Sequence, residues 1–388
     1  MKIETHSDEL ALSVKDLQEI LGADDDASCE VVATKEGVVL VRGGWEDNVV
    51  QLKVHRAFII NQGVASFKFR SLRLPEKNYR GKVKIWADNP QHAYIEADGG
   101  SVKAAPGDSV PSFEDFSASE PCASFVTSEL LDPVRDVAHA QSTDPWRVAL
   151  RGVKIEIEVD MKLRAIATDG RRLAASFRQI SRAEIPIPNF SAFLPPAAAR
   201  FIIFAPHGPD ITLYQRKSSI IVKTGDSLGI FRGADTYFPK WRDCIPKDPP
   251  LRAMFDTGEL ADRLLAGIAL LDTGEKELDE EGDEVEPLFA ARITATGRTG
   301  SATLLIKRQS EAGDTSFTAS IRCATFGMAP FEMYVNARIL ADVVRLFDDK
   351  VYLYANPIST RCKQLGPFLM KFPDHPYFFE VLMPIREA

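Results

Sequence analysis

The feature that most constrains this chain is a repeat. Three amphipathic segments, Ser7 to Leu21, Thr127 to Gln141 and Thr257 to Leu271, each begin with a polar residue followed closely by Glu-Leu. The Glu-Leu pairs stand at Glu9-Leu10, Glu129-Leu130 and Glu259-Leu260, spaced by 120 and 130 residues. Such spacing implies three units of domain size. Leu10, Val14, Leu17 and Leu21 share one helical face, as do Leu260, Leu264 and Ile268, and the leading Ser7, Thr127 and Thr257 are expected to cap the helix starts. Each unit thus opens with a short strand and a helix.

A second apolar helix is expected at Pro195 to Ala205 and Asn336 to Phe347, with a weaker counterpart around Ala65 to Leu74. Alternating strands follow in every unit: Val83 to Ala87 with Ala93 to Ala97, Ile211 to Tyr214 with Ser219 to Lys223, and Val351 to Tyr354 with Phe368 to Phe372. The chain has 388 residues, enough for two or three domains. The pattern predicts an α+β protein with domains at 1–122, 123–250 and 251–388. An acidic insertion interrupts the third at about 272–287, where nine acidic residues between Asp272 and Glu286 stand against one lysine. That stretch is expected to be an exposed, mobile loop and not a site.

Chemistry-bearing motifs are sparse. Gly225-Asp226-Ser227-Leu228-Gly229 matches the nucleophile-elbow pattern and resembles the GDSL hydrolases. An elbow needs a strand, a sharp turn and then a helix, whereas this motif is flanked by strand-like residues on both sides, so a hairpin turn is expected. His375 is the only downstream histidine in a plausible place, and it sits in the loop-like Pro373-Asp374-His375-Pro376. No phosphate-binding glycine loop, dinucleotide fingerprint or His-Glu-x-x-His is found. The five cysteines, Cys29, Cys122, Cys244, Cys323 and Cys362, show no metal-ligand spacing and read as reduced and structural. No cofactor or metal is expected. The apolar runs are too short for a membrane span and no signal-peptide pattern opens the chain, so a cytoplasmic location is expected.

The formal net charge of −8 argues against an ordinary nucleic-acid binder, whose affinity comes from lysines and arginines on phosphates. One basic cluster stands apart: Lys68, Arg70, Arg73, Lys77, Arg80, Lys82 and Lys84, against the single Glu76. It reads either as a solvated face or as a phosphate-tracking patch.

Three further segments carry a family resemblance. They are Ala167-Thr168-Asp169-Gly170-Arg171-Arg172-Leu173-Ala174, Tyr237-Phe238-Pro239-Lys240-Trp241-Arg242-Asp243-Cys244-Ile245-Pro246, and Val381-Leu382-Met383-Pro384-Ile385-Arg386. In these the chain resembles the bacterial DNA polymerase III beta subunit, or beta sliding clamp, family. The resemblance is clear from about Phe125 onward and weak over the first 120 residues, where the repeat carries the inference. It implies a DNA clamp fold of three similar domains, each with two helices packed on antiparallel sheets, and a head-to-tail homodimeric ring around duplex DNA. It implies no catalysis. A ring held by topology needs only loose phosphate contact, which reconciles the acidic composition with a DNA function.

The resemblance also implies an apolar pocket for short peptides from the polymerase III alpha subunit, the clamp loader and other clamp-motif proteins. Carried over by motif, it contains Leu150, Thr168, Gly170, Arg171, Arg172, Leu173, Pro239, Cys244, Val381, Met383, Pro384 and Ile385. Arg171 stands where the family usually has histidine and Asp243 where a basic residue is frequent, so the preferred peptide is expected to differ. Lys68, Arg70, Arg73, Arg147 and Arg151 are the candidate DNA-facing residues. Leu194-Pro195-Pro196-Ala197-Ala198 lacks the basic residues that the family carries at this helix start. Two other readings compete: a divergent accessory clamp that binds partners without encircling DNA, and a hydrolase using Ser227.

Overall fold

Each of the three repeats closes through the same strand pairing. The computed structural model describes residues 1–45, 47–72, 81–90, 92–97, 100–110, 121–158, 160–181, 183–184, 190–216, 219–233, 237–274, 277–278, 284–285, 287–295, 300–308, 315–326, 330–356 and 366–385. Among these are the α-helices α1 (Ser7–Leu21), α2 (Thr127–Val137), α3 (Pro196–Phe204), α4 (Thr257–Leu271) and α5 (Ala337–Val344). The strands leading into α1, α2 and α4 run antiparallel to Lys82–Asn89, Asp210–Arg216 and Lys350–Ala355. In every case the residue before the helix faces the first residue of the partner strand: His6 opposite Lys82, Val126 opposite Asp210, Asp256 opposite Lys350. The next residue donates its backbone N–H to the carbonyl just before that strand, Ser7 to Gly81 at 3.1 Å, Thr127 to Pro209 at 2.9 Å and Thr257 to Asp349 at 2.9 Å.

This stitch corrects the capping expectation. Ser7, Thr127 and Thr257 are the first helical residues, one position past the cap. The Thr127 hydroxyl donates to the Gly208 carbonyl at 2.7 Å and the Thr257 hydroxyl to the Asp349 carbonyl at 2.9 Å. The side-chain caps are Asp256 on α4, accepting from the Glu259 N–H, and Asn336 on α5, accepting from those of Arg338 and Ile339. Helix α2 also stops short of Gln141: it contains Pro133, which lacks an N–H, and passes into a 3-10 turn at Ala138–Ala140.

The chain forms two compact units, one of Met1–Ala165 with Phe177–Tyr237 and one of Ile166–Ser176 with Phe238–Ala388. The first holds a five-stranded sheet in the order Phe58–Asn61, Lys2–His6, Lys82–Asn89, His92–Ala97, Gly100–Lys103. It also holds a nine-stranded sheet in which Ser227–Arg232 pairs with Asn48–Lys53, joining the first two repeats into one ladder. Lys53–Asp226 and Arg232–Asp47 ion pairs clip that junction. Leu10, Leu17 and Ile20 of α1 and Val41, Val50 and Leu52 of the strands beneath are buried, each worth roughly 1.5–3 kcal/mol. Gly43 allows the close approach, because a Cβ there would lie 2.8 Å from the Leu21 side chain. Arg200 of α3 donates to the Ile20 carbonyl at 3.0 Å and so ties α3 to the C-terminal end of α1.

The second unit holds a four-stranded sheet, Thr315–Arg322, Ser301–Arg308, Phe289–Ala295, Phe331–Asn336, under α4 and α5. A second sheet orders residues 172–176, His375–Leu382, Phe368–Phe372, Lys350–Ala355, Leu251–Asp256 and Ala324–Phe326. Buried Arg308 donates to the Leu271 carbonyl and to Thr273, while Arg338 pairs with Asp272. Two cations thus hold the root of the acidic insertion at the negative end of α4.

One other expectation changes. In place of the helix expected over Ala65 to Leu74, Gly63–Lys68 is a strand and Phe69–Leu72 a 3-10 turn; residues 73–74 lie outside the described residues. Ala65, Phe67 and Phe69 recur every second residue, which is strand periodicity. In the acidic insertion, Glu277–Leu278 pairs with Glu284–Val285 as a short antiparallel ladder.

Two stability predictions follow from these contacts. Thr257→Val removes a buried hydroxyl that also accepts from the Asp349 N–H at 2.9 Å, so it should cost about 1–3 kcal/mol by urea unfolding. Burial, and next Glu19, push the half-buried Asp16 carboxyl up to about 6. Its raised value means this group loses stability for the fold as pH rises from about 4 to 6. Asp16→Asn should therefore stabilise the fold at pH 8 by about 1 kcal/mol after discounting for solvent, seen as a raised thermal midpoint, with no gain at pH 4.

Candidate functional site

The second unit brings most of the expected pocket residues together. Asp169-Gly170 forms a tight turn with Gly170 at φ +86°, a backbone conformation that glycine adopts without strain. One Asp169 carboxylate oxygen accepts from the N–H groups of Arg171 and Arg172, both at 2.8 Å, and the Thr168 hydroxyl spans the turn to the Arg172 carbonyl at 2.6 Å. The strand leaving the turn pairs with the C-terminal strand, placing Leu173 opposite Val381 and Arg172 opposite Leu382. Met383 then donates to the Arg171 carbonyl at 2.8 Å and Ile385 to the Tyr334 carbonyl at 3.1 Å. Turn and C-terminus are one hydrogen-bonded structure.

Register assigns faces. Leu173, Val381, Leu369, Tyr354, Arg252 and Phe326 stand opposite one another across adjacent strands and form one cross-strand row. The next row on that face contains Ala175, Phe379 and Lys371. Leu173 and Val381 are buried, whereas Arg171, Pro239 and Met383 are exposed and Pro384 and Ile385 half-exposed. The segment carrying Pro239 and Cys244 is anchored by buried Phe238 and Trp241, and a 3-10 turn spans Trp241–Cys244. Beyond it, Ile245, Pro246 and Pro249 border a cavity of about 400 Å³ with Tyr354, Leu369, Lys371 and Phe379. Leu369 sits beside Val381, so this cavity lies on the same sheet face as Leu173 and Val381. Its strand residues escaped the sequence motifs, because only register places them on the same face.

The two arginines differ. Arg172 is half-buried and engages Asp169 at 3.1 Å and Asp342 at 3.8 Å, leaving exposed Arg171 as the cation available to a ligand. Leu150 belongs to the other compact unit, where its carbonyl accepts from Ser142.

The candidate DNA-facing residues lie in the first unit. Lys68 pairs with Asp108 at 3.6 Å, Arg70 with Asp26 at 2.7 Å and Arg147 with Asp144 at 3.2 Å. Arg151 is half-buried, and Arg73, like Lys77 and Arg80, lies outside the described residues. Lys82 and Lys84 point out from the five-stranded sheet, paired with Glu4 and Glu96. Such exposed pairs are weak and exchangeable.

The hydrolase reading fails on geometry. Gly225 turns a hairpin at φ +55°, and Ser227 is buried on the next strand with its hydroxyl donating to the Pro206 carbonyl at 3.1 Å. His375 opens a strand, not a loop, and its ring packs 4.5 Å from that of Phe347. Burial pushes the Cys29 thiol up to about 12, and raises Cys122 and Cys323, so these thiols are poor nucleophiles. Among the described residues no group of three or more His, Cys, Asp or Glu is placed to hold a metal ion, and no helix is long and apolar enough to cross a membrane.

No family model matches the sequence. A beta sliding clamp from Rickettsia felis is 25% identical over 293 residues, covering 71% of this chain and 70% of that protein. The fold matches over full length the DNA polymerase III beta subunit of Thermotoga maritima, with TM-score 0.76 and 17% identity, covering 100% of both chains. It likewise matches the Caulobacter crescentus polymerase III beta protein, with TM-score 0.71 and 21% identity, and a DnaN sliding clamp from Bartonella birtlesii bound to griselimycin, with TM-score 0.74 and 16% identity, each at 100% coverage of both chains. The chain therefore has the DNA clamp fold.

Asp169→Ala should lower stability by about 1.5–3 kcal/mol, because two N–H groups and the Arg172 guanidinium lose one charged acceptor. Chemical unfolding measures it. An unchanged midpoint would mean the turn does not depend on this carboxylate.

Proposed function

We infer that this chain belongs to the beta sliding clamp family and acts as a DNA sliding clamp, a non-catalytic processivity factor that tethers a DNA polymerase to duplex DNA. The observation that carries the reading is the clamp fold over the whole chain, joined to a sequence relative of that name. Three repeats per chain, paired head to tail with a second copy, would make a closed ring.

The edges of the sheets support that ring. Gly100–Lys103 is an edge strand in the first unit and Thr315–Arg322 an edge strand in the second. Each offers unpaired backbone groups to another chain. Val102 is 70% exposed on the first and Leu270, on α4 beside the second, is 73% exposed. A heterologous contact between two such edges closes a dimer when it is made twice.

In this reading the face floored by Leu173 and Val381 receives clamp-motif peptides from the polymerase III alpha subunit, the clamp loader and other partners. Met383 adapts its shape to an apolar side chain and Arg171 meets a carbonyl or carboxylate. Domain boundaries near 122 and 250 follow from the three strand–helix starts. A second reading, an accessory clamp that binds partners without encircling DNA, is favoured by the pairing of Lys68, Arg70 and Arg147 with carboxylates.

Removing Met383 to Ala388 leaves the paired strand His375–Leu382 whole and should weaken binding of a clamp-motif peptide by tenfold or more, measured by fluorescence anisotropy on a folded truncation. Arg171→Glu should reduce binding of peptides ending in a free carboxylate most. Unchanged affinity in the truncation would remove the site from this face.

A further inference from the structure

The outward face of the five-stranded sheet carries a pattern the clamp reading does not use. Register places Lys2, Trp86, Tyr94 and Lys103 directly opposite one another on four adjacent strands. The Trp86 and Tyr94 rings stack with centroids 4.1 Å apart and planes at 14°. Alternation along these strands sends Val83, Ile85 and Ile95 into the core and this row toward solvent. On the same face Glu4 is occupied by Lys82 and Glu96 by Lys84, while Asp88, two residues past Trp86, is exposed. Lys2 and Lys103 have no acidic partner among the described residues. In a chain with net charge −8 this face is locally positive.

We propose that this face binds single-stranded nucleic acid, with bases stacking against Trp86 and Tyr94 and phosphates held by Lys2 and Lys103. The two lysines flank the aromatic pair across three strand spacings, about 14 Å, far enough to hold phosphates on either side of stacked bases. The stacked pair lies between the strand bearing Lys2 and the strand bearing Lys103. Aromatic platforms bordered by cations on a solvent-facing antiparallel sheet bind single strands with little sequence preference, because every base offers a π-face. Duplex DNA presents no unstacked base to such a row, so the face selects single strands. An acidic peptide could meet the lysines but would gain nothing specific from the aromatic pair.

The test is fluorescence anisotropy of a labelled linear decathymidylate against the full chain at several salt concentrations. Trp86→Ala with Tyr94→Ala should weaken binding about tenfold or more. Because these half-buried rings also cover the sheet, Lys2→Gln and Lys103→Gln are measured alongside. Each should reduce the salt slope by about 0.7, the share of one phosphate contact on a single strand, without touching the core. Peptide binding at the Leu173–Val381 face should persist in every variant, and retention on duplex circles in Lys2→Gln, which lies off the Gly100–Lys103 edge, so failure here is separable from failure of the clamp reading. Affinity for the oligonucleotide unchanged by both the aromatic and the lysine substitutions would overturn the proposal. So would binding of a labelled decaglutamate in place of the oligonucleotide, which would make the face a dock for acidic protein.

Discussion

The structure depends on one interaction made three times: the backbone N–H of the first helical residue donating to the carbonyl that precedes a returning strand. Ser7 to Gly81, Thr127 to Pro209 and Thr257 to Asp349 are equivalent bonds. Each fixes a helix start on the sheet ladder and so sets which helical face meets the core. Thr257 is almost completely buried and its hydroxyl both donates to and accepts from Asp349, which makes this junction sensitive to loss of one atom.

That dependence explains what could be read from the residues. The leucine spacing located α1 and α4 to the residue, because a 3.6-residue period over four turns is hard to imitate. Ala65 to Leu74 misled, since its apolar residues serve a strand and then a 3-10 turn, and a short run cannot separate the two periods. The role of Thr127 and Thr257 was hidden for another reason. A hydroxyl at a helix start suggests a cap, and its actual acceptor is a carbonyl about 80–90 residues away in sequence. The Asp169-Gly170 turn and the Met383-Pro384-Ile385 tail were visible as motifs, whereas Tyr354, Leu369 and Phe379 join their face only through register.

Charge bears directly on the proposed clamp function. Arg70 near α1 and Arg147 in the Asp144–Arg151 turn are paired with carboxylates, and α1 itself bears Asp8, Glu9, Asp16 and Glu19 against Lys15. Such pairing lowers the number of cations that can displace counterions from duplex DNA. A closed ring has no need of that displacement, since release requires opening the ring or reaching a DNA end. The same economy leaves the outward sheet face, with Lys2 and Lys103 free, as a place where direct affinity for nucleic acid is concentrated.

The central claim is retention by topology, and the most direct measurement compares the chain loaded on nicked circular duplex with the same complex after a single cut linearises the DNA. The account predicts a dimer of about twice 42.9 kDa by light scattering, stable on circles in high salt and lost within moments of linearisation. A monomer, or retention indifferent to DNA ends and abolished by salt, would contradict it.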